Sequence, residues 1–426
     1  MILNVMGTNF QLQDIILYCL GIFATIFLWR IFSTYVPRKN CYRPPEPAGK
    51  WPLIGHLHLL GASKILHHTP GDMADQYRPI FSLNLGMNRT FVITGWEVAK
   101  ECFTTQDRVF ATRPKSLVGE VVGYNSRVMI FQEYGSYWRE IRKLAMVELQ
   151  SNRRLDMLKH VRESEVKIFI RELHEKWSSN GNGSKVVVEM KEKFGDLTTN
   201  IVVRIVAGKM YPGTTGVHGN EESRRFQKAM ADFMHLAGLF MVSDAIPLLG
   251  WIDALKGYKG KMKKTAEEID HLLGSWLKEH QQKRENESIN HSEEEDFIYV
   301  MLSAMDGNQF PEIDVDTAIK GTCLSSGYDT TSATLMWATS LLLNNPHVLN
   351  KAQDEMDKYV GRDRQVNESD VKNLTYLHAI VKETLRLYPS APLSVQHEAM
   401  EDCTVAGFNV PAGTRLLVNE PFEDAS

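Results

Sequence analysis

Residues 326–331 (SGYDTT) bring a carboxyl group and hydroxyl groups next to a glycine within a long apolar pattern. Serine and threonine hydroxyls in a helix can bond back to the carbonyl four residues earlier and bend the helix. A carboxyl group beside a hydroxyl in an apolar interior can relay protons, so Asp329 and Thr330 are candidate catalytic residues. The alternative is an exposed face of an amphipathic helix. The apolar residues around the motif favour the interior position.

Trp138 and Arg142 are four residues apart in a helical segment, so they lie on the same helix face. An indole N–H beside a guanidinium can bind an anionic carboxylate. A cation–π pair on the surface is the alternative interpretation, and the residues alone leave both open.

Glu383 and Arg386 are three residues apart and can form an ion pair on one helix face. The spacing alone is weak, because residues 221–225 contain two further matches in a polar run. The copy at residues 383–386 differs, since apolar residues flank it and two prolines follow. This setting predicts that the pair lies at the buried end of a helix.

The elements that would position these residues are mainly helical. Residues 80–85 alternate apolar and polar, residues 86–89 can turn the chain, and residues 90–94 predict a second strand of a hairpin. Helical periodicity covers residues 137–178, much of 220–283, 314–345 and 370–387. The helix at 314–345 is apolar enough to cross the interior of the domain, and Pro346 ends it. The expected fold class is mainly α with a small β-sheet.

Composition excludes several classes of protein. The chain has a net charge of −4, a pI of about 6.4 and no basic stripe, so nucleic acid is not an expected partner. The five cysteines are scattered without a CxxC pair, which predicts free thiols rather than a zinc site or disulfides. They are Cys19, Cys41, Cys102, Cys323 and Cys403.

Residues 1–37 are predicted to form a single N-terminal transmembrane helix. Residues 15–29 are uncharged and apolar, and the run reaches the length of a span only if Arg30 extends its side chain towards the headgroups. A cleaved signal peptide is the alternative, but residues 1–13 carry no Lys or Arg. The positive residues follow the run, which predicts a cytosolic main domain. Residues 38–52 are a proline-rich hinge between this anchor and the domain.

These motifs in this order, behind an anchor and a hinge, resemble the microsomal cytochromes P-450. Three further motifs are typical of that family: PLIG at residues 52–55, ATRP at 111–114 and KETLRLYP at 382–389. These motifs are similar to those of the plant members that oxidise alkaloids, terpenoids and coumarins, including the nicotine N-demethylases. The resemblance extends from the anchor to about Asn419.

The resemblance implies a haem b cofactor. Trp138 and Arg142 would contact one haem propionate, and His397 stands where a basic residue often reaches the other. Glu383 and Arg386 would lock the core beside the haem. Asp329 and Thr330 would deliver protons for cleavage of the O–O bond.

The resemblance also implies partners and a location. NADPH–cytochrome P-450 reductase would supply electrons at the endoplasmic reticulum membrane, and the substrate would be a small lipophilic plant secondary metabolite oxidised with dioxygen. Residues 114–131 would contact this substrate. The other expected pocket residues are Ser325, Ser326, Leu393, Ser394 and Val395.

One departure from the family is large. Residues 401–407 around Cys403 predict a strand and a turn, and they do not resemble the FxxGxRxC loop that carries the iron-binding cysteine. Residues 53–419 are therefore interpreted as a P-450 domain that lacks its haem-cysteine segment, followed by a divergent tail at 420–426. The expected function is a haem-dependent monooxygenase. The alternative is a catalytically inactive, truncated and membrane-tethered fragment without an axial cysteine.

Overall fold

The computed structural model describes residues 42–60, 68–77, 79–179, 185–210, 221–286, 296–305, 314–325 and 327–419, with isolated positions at 17, 18, 21 and 25. Contacts between Cα atoms divide the chain into two units, Met1–Arg43 with Gly407–Asn409, and Pro44–Ala406 with Val410–Ser426. The second unit contains all the elements described below except β5, most of which belongs to the first unit. Apart from the isolated positions, the predicted anchor lies outside the described residues.

No single helix in these described ranges has the length and apolar character of a membrane span. One pair of helical segments, Glu221–Ala245 and Pro247–Leu255, has the length and apolar composition of a membrane span only when the two are taken together. A bend of 111° separates them. Residues 42–50, the described part of the predicted hinge before Trp51, form no helix or strand.

Six strands are short and lie near the two ends of the described chain. They are β1 (Ile80–Leu85), β2 (Asn88–Ile93), β3 (His397–Glu398), β4 (Cys403–Val405), β5 (Phe408–Val410) and β6 (Arg415–Val418). Four of them form a sheet in the order β1-β2-β6-β3. β2 pairs with β6 in parallel, and the other two pairings are antiparallel.

The predicted hairpin is confirmed. Ile80 pairs with Ile93 and Leu85 with Asn88, so the turn lies at Gly86 and Met87. Gly86 has φ +65°, and a Cβ atom there would lie 2.5 Å from the carbonyl oxygen of Ala245. Glycine is therefore required both by the turn and by the close approach of another backbone segment.

The α-helices account for most of the described chain. They are α1 (His68–Tyr77), α2 (Trp96–Phe103), α3 (Leu117–Val121), α4 (Ser136–Glu148), α5 (Asn152–Met157), α6 (Lys159–Ser179), α7 (Met190–Ala207), α8 (Glu221–Ala237), α9 (Val242–Ala245), α10 (Trp251–Leu255), α11 (Tyr258–Asn286), α12 (Phe297–Met305), α13 (Val315–Leu324), α14 (Tyr328–Asn344), α15 (Pro346–Tyr359), α16 (Glu368–Val371) and α17 (Thr375–Leu387). Short 3₁₀ helices occupy Leu57–Leu60 and Pro247–Leu249.

The main hydrophobic core lies between α3, α4, α7, α8, α11, α12 and α13. Phe233, Trp276 and Met301 are completely buried in it. A smaller cluster of Phe81, Leu83, Leu85, Val92 and Leu417 lies on the sheet.

The prediction of one continuous helix over residues 314–345 is wrong. Asp314 caps the start, accepting a hydrogen bond from the Thr317 amide at 3.1 Å, but α13 ends at Leu324 and α14 begins at Tyr328. Ser325 directs its hydroxyl back to the Gly321 carbonyl oxygen at 3.1 Å. Adjacent serines and a glycine have low helix propensity, so the segment breaks where they occur.

The predicted helix at 370–387 is also divided in two, because residues 372–374 separate α16 from α17. Glu355 of α15 accepts hydrogen bonds from the amides of Tyr376 and Leu377 at 2.8 and 3.0 Å. These amides have no partner within the first turn of a helix, so the carboxylate fixes the start of α17.

Candidate functional site

Trp138 and Arg142 lie side by side on α4, as their spacing predicts. The Arg142 guanidinium carbon is 4.9 Å from the centroid of the Trp138 ring. Tyr137, Ile141 and Ala145 bury the other face of α4 in the core. Packing of this second face therefore fixes the helix and directs the tryptophan and the arginine away from the core.

Arg113 lies near this pair, although no sequence pattern predicted a role for it. Its Nη1 donates to the carbonyl oxygens of Val395 and Gln396 at 2.9 and 3.0 Å. Burial and, to a smaller extent, the charge of Arg142 lower the pKa of Arg113 to about 10. Within the part of the chain that the structure describes, neither guanidinium has a carboxylate as an ion-pair partner. Two neighbouring cations without an acid are suited to binding an anion.

His397 of β3 completes this cationic cluster, which we define as Arg113, Trp138, Arg142 and His397. Its Nδ1 lies 2.5 Å from the carbonyl oxygen of Phe110, and because a carbonyl only accepts, Nδ1 carries the hydrogen. Burial lowers the pKa of His397 to about 4, with a further contribution from Arg113. The ring is therefore neutral at neutral pH in this arrangement, whereas the resemblance had implied a basic residue.

The low pKa of His397 predicts a pH-dependent stability. The unfolded chain gains a proton on this ring below about pH 6.5, whereas the folded chain gains it only near pH 4, so the free energy of unfolding falls as the pH is lowered. Solvent screening of a partly exposed ring limits the loss to roughly 1–2 kcal/mol. Urea unfolding of wild type and His397→Gln at about pH 7.5 and about pH 5 should show a smaller pH effect in the variant. An exposed control, His347→Gln, should behave as wild type, and equal pH effects in all three proteins would contradict the assignment.

The candidate proton-relay residues are not in an apolar interior. The side chains of Asp329 and Thr330 are exposed at the start of α14, and Thr330 Oγ1 lies 3.5 Å from the Gly327 carbonyl oxygen. The break before Tyr328 removes the continuous helix that was expected to bury them. α14 is instead linked to the chain after α17, because Ser390 Oγ donates to the Thr330 carbonyl oxygen at 3.1 Å.

The Glu383–Arg386 ion pair is present, but the prediction that it lies at a buried helix end is wrong. Nitrogen and oxygen are 2.6 Å apart, and the side chains are 54% and 45% exposed, the glutamate more than the arginine. Thr384 is the buried residue of α17, so the helix face that carries the pair is uncovered in the described chain. The hydrogen bond from Arg386 lowers the pKa of Glu383.

The predicted substrate residues fall into two places. Leu393 bridges to Asn419, and Ser394 exchanges hydrogen bonds with Val418 at 3.0 and 3.1 Å. Residues 393–395 are thus attached to the end of the sheet, and the Val395 carbonyl connects them to Arg113. Ser325 ends α13, and Ser326 lies outside the described residues.

The cationic cluster fits the carboxylate groups of haem, but the described cysteines do not fit the ligand of its iron. A ligating thiolate needs an electropositive environment that lowers its pKa. Burial instead raises the pKa of Cys102 to about 12, and burial also raises the pKa of the fully buried Cys323. Burial and the acidic Asp402 raise the pKa of Cys403 in β4 to about 11. No iron-dependent step can be assigned to these three thiols.

Comparison with known proteins identifies the family. The Cytochrome P450 family model matches residues 44–420. The chain is 48% identical to strychnine-10-hydroxylase of Strychnos nux-vomica over 395 residues, which cover 92% of this chain and 75% of that protein. It is 46% identical to a xanthotoxin 5-hydroxylase of Arabidopsis thaliana over 416 residues, which cover 96% of this chain and 79% of the relative.

A solved structure shows the same fold. A zebra fish cytochrome P450 with progesterone superposes with a TM-score of 0.68 at 25% sequence identity, covering 84% of this chain and 79% of the other. The mainly helical fold with small sheets is therefore confirmed, as is the resemblance to plant hydroxylases of secondary metabolites. This chain belongs to the cytochrome P450 family.

Proposed function

We propose that this chain is a haem-dependent monooxygenase that hydroxylates a small, lipophilic, fused-ring plant secondary metabolite. The observation that carries the proposal is the cationic cluster, where Arg113 and Arg142 lie together without an acidic partner in the described chain. Relatives named for strychnine and xanthotoxin support the substrate class. NADPH–cytochrome P-450 reductase is the proposed electron donor.

The residues of the cluster would divide the work of binding. Bound haem would supply the chemistry that activates dioxygen. Arg113 and Arg142 would neutralise its carboxylates, and the Trp138 indole would add one N–H donor. A carboxylate near His397 would offset the burial that now lowers its pKa, so the ring would gain a proton at Nε2 as the anion binds. Asp329 and Thr330 Oγ1, which are exposed at the start of α14, are the proposed groups that would hold and move protons.

Haem titration of the full chain tests the role of the cluster. Arg113→Ala should weaken haem binding by roughly ten- to hundredfold, which is the contribution of a charge-assisted hydrogen bond. Arg108→Ala is the matched control, because Arg108 is exposed five residues earlier in the chain and should leave binding unchanged. Equal haem affinities for wild type and both variants would contradict the assignment of the cluster.

A second candidate function is a membrane-tethered, catalytically inactive form. The raised pKa values of Cys102, Cys323 and Cys403 favour it, because none of these thiols is prepared to act as a thiolate. The reduced carbon-monoxide difference spectrum of the haem-loaded chain separates the two candidates. A thiolate-type Soret band would exclude the inactive form. Bound haem without this band would exclude oxygen activation by this chain.

We also propose that the domain rests on the cytosolic face of the endoplasmic reticulum membrane. An apolar patch of exposed residues, Phe240, Leu248, Trp251 and Leu255, supports membrane contact. Leu248 and Leu255 are 76% and 77% exposed, which is costly in water. Exposed lysines at positions 256, 259, 261, 263 and 264 follow the patch and could contact anionic headgroups.

Fluorescence of the full chain in vesicles tests this contact. Brominated lipids should quench Trp251 because its 59% exposed ring would enter the interface. In a Trp29→Phe background, which removes the tryptophan of the predicted anchor, Trp251→Phe should remove most of the remaining quenching, whereas Trp177→Phe, which alters a 49% exposed tryptophan of α6, should not. Undiminished quenching in Trp251→Phe would contradict the proposed contact. Protease added outside intact microsomes should digest the domain, and protection would contradict the cytosolic location.

A further inference from the structure

A single carboxylate connects the start of α3 to a segment 127 residues later in the chain. The amide of Leu117, the first residue of α3, donates to Asp244 Oδ1 at 2.8 Å. Asp244 belongs to the short helix α9. Leu117 lies near the start of residues 114–131, the segment expected to contact the substrate.

The support under Asp244 is rigid. Asp253 is buried and accepts hydrogen bonds from the amides of Val242 and Ser243 at 3.1 and 2.7 Å, which fixes the first turn of α9. Asn88 of the hairpin donates its side-chain amide to the Asp244 carbonyl oxygen at 2.7 Å. The backbone of Asp244 is therefore anchored on two sides, and its carboxylate extends from a fixed point.

The segment that Asp244 contacts is held at its far end as well. Tyr124, Asn125 and Ser126 follow one another with φ values of 51°, 55° and 61°. Three consecutive non-glycine residues in the left-handed region persist only where the surrounding structure holds them. Val128 is completely buried, and the Tyr137 hydroxyl donates to the Arg127 carbonyl oxygen at 3.3 Å. The core thus fixes the end of the segment, and Asp244 fixes its beginning.

We propose that Asp244 is a positioning residue that closes residues 114–131 onto α9. It thereby sets how much space this predicted substrate-contacting segment leaves for the substrate. The hydrogen bond itself stands on geometry alone. Its consequence for the substrate rests on the proposed function. Loss of the carboxylate frees the first turn of α3 while the buried end at Val128 remains in place.

The charges around Asp244 determine when it holds the segment. Burial raises the pKa of Asp244 to about 6, while the Leu117 hydrogen bond and Arg415 of β6 act in the opposite direction. Asp253 of α10 and Glu120 of α3 are the acidic groups facing it, and both contribute to the raised pKa. Protonation below about pH 6 removes the charge that strengthens the hydrogen bond, so the closure weakens there.

Amide hydrogen exchange on the full chain tests the closure. At about pH 7.5, Asp244→Ala should lower the protection of the Leu117 amide by roughly tenfold or more, because a hydrogen bond to a charged acceptor is lost. Asp244→Asn keeps an oxygen acceptor without the titration. Its protection factor should therefore not change between about pH 7.5 and about pH 5, whereas that of wild type should fall. Asp363→Ala, at an exposed carboxylate, is the matched control and should behave as wild type.

A second measurement separates this inference from the proposed function. Equilibrium dialysis with xanthotoxin as the probe should show a several-fold change in affinity for Asp244→Ala and none for Asp363→Ala. If no protein binds xanthotoxin but exchange at Leu117 responds, the closure stands and the proposed substrate class fails. Unchanged protection of Leu117 in Asp244→Ala would overturn the inference. If Asp244→Ala does not fold, equal pH dependence in Asp244→Asn and wild type would overturn it.

Discussion

Replacing Trp276 by alanine is expected to lower the free energy of unfolding by about 3–5 kcal/mol, the range for removal of a buried aromatic ring. Trp276 of α11 is completely buried, and its ring centroid lies 5.0 Å from that of Phe226 on α8. Its indole nitrogen also donates to Glu222 at 2.5 Å. Alanine leaves a cavity that the surrounding helices fill only in part. Urea unfolding followed by circular dichroism measures the loss.

Trp251→Ala is the matched control for this cavity. The side chain of Trp251 is 59% exposed, so its removal should change the free energy of unfolding by about 0.5 kcal/mol or less. Similar losses for the two variants would show that the main core does not depend on the Trp276 ring. That outcome would contradict the packing between α8 and α11 described above.

Glu165→Ala is expected to cost about 3–5 kcal/mol, because it leaves a buried cation without its partner. The side chains of Glu165 on α6 and Arg204 on α7 are 3% and 13% exposed, and the ion pair joins them at 3.2 Å. Ser164 Oγ, at 2.6 Å from Arg204, remains as a neutral acceptor in the variant. Urea unfolding of wild type and variant at the same pH measures the difference.

Two further variants separate burial from ion pairing as such. Glu368→Ala breaks the Arg162–Glu368 pair, whose side chains are 25% and 41% exposed, and should cost about 1 kcal/mol or less. Combining Glu165→Leu with Arg204→Met removes both buried charges and should recover most of the stability that Glu165→Ala loses. An equal cost for Glu165→Ala and Glu368→Ala would show that the buried setting of Arg204 does not matter.

The parts of the fold that local pattern determines were predicted from the sequence. Strict alternation in residues 80–85 and a turn at Gly86 were enough to place the hairpin. The break between α13 and α14 was missed because apolar periodicity continues on both sides of it. There the low helix propensity of Ser325 and Gly327 outweighs the periodic pattern.

The candidate site was likewise predicted only where local sequence spacing determines the geometry. Trp138 with Arg142 and Glu383 with Arg386 were predicted because each pair lies within one helix, where spacing fixes the geometry. The exposure of Glu383 could not be predicted, since it depends on which other elements cover α17. Arg113 was missed because it meets a carbonyl group 282 residues away, and no local pattern records such a contact.

The parallel pairing of β2 with β6 has a consequence for the order in which the chain folds. Thr90 aligns with Arg415 and Ile93 with Val418, so this contact closes a loop of more than three hundred residues. The hairpin and the helical core are made from nearer neighbours and can form while the ribosome is still adding residues. The edge of β2 that later pairs with β6 must therefore remain exposed to solvent until β6 emerges from the ribosome. During synthesis, that edge is where a chaperone would protect the nascent chain from pairing with the wrong strand.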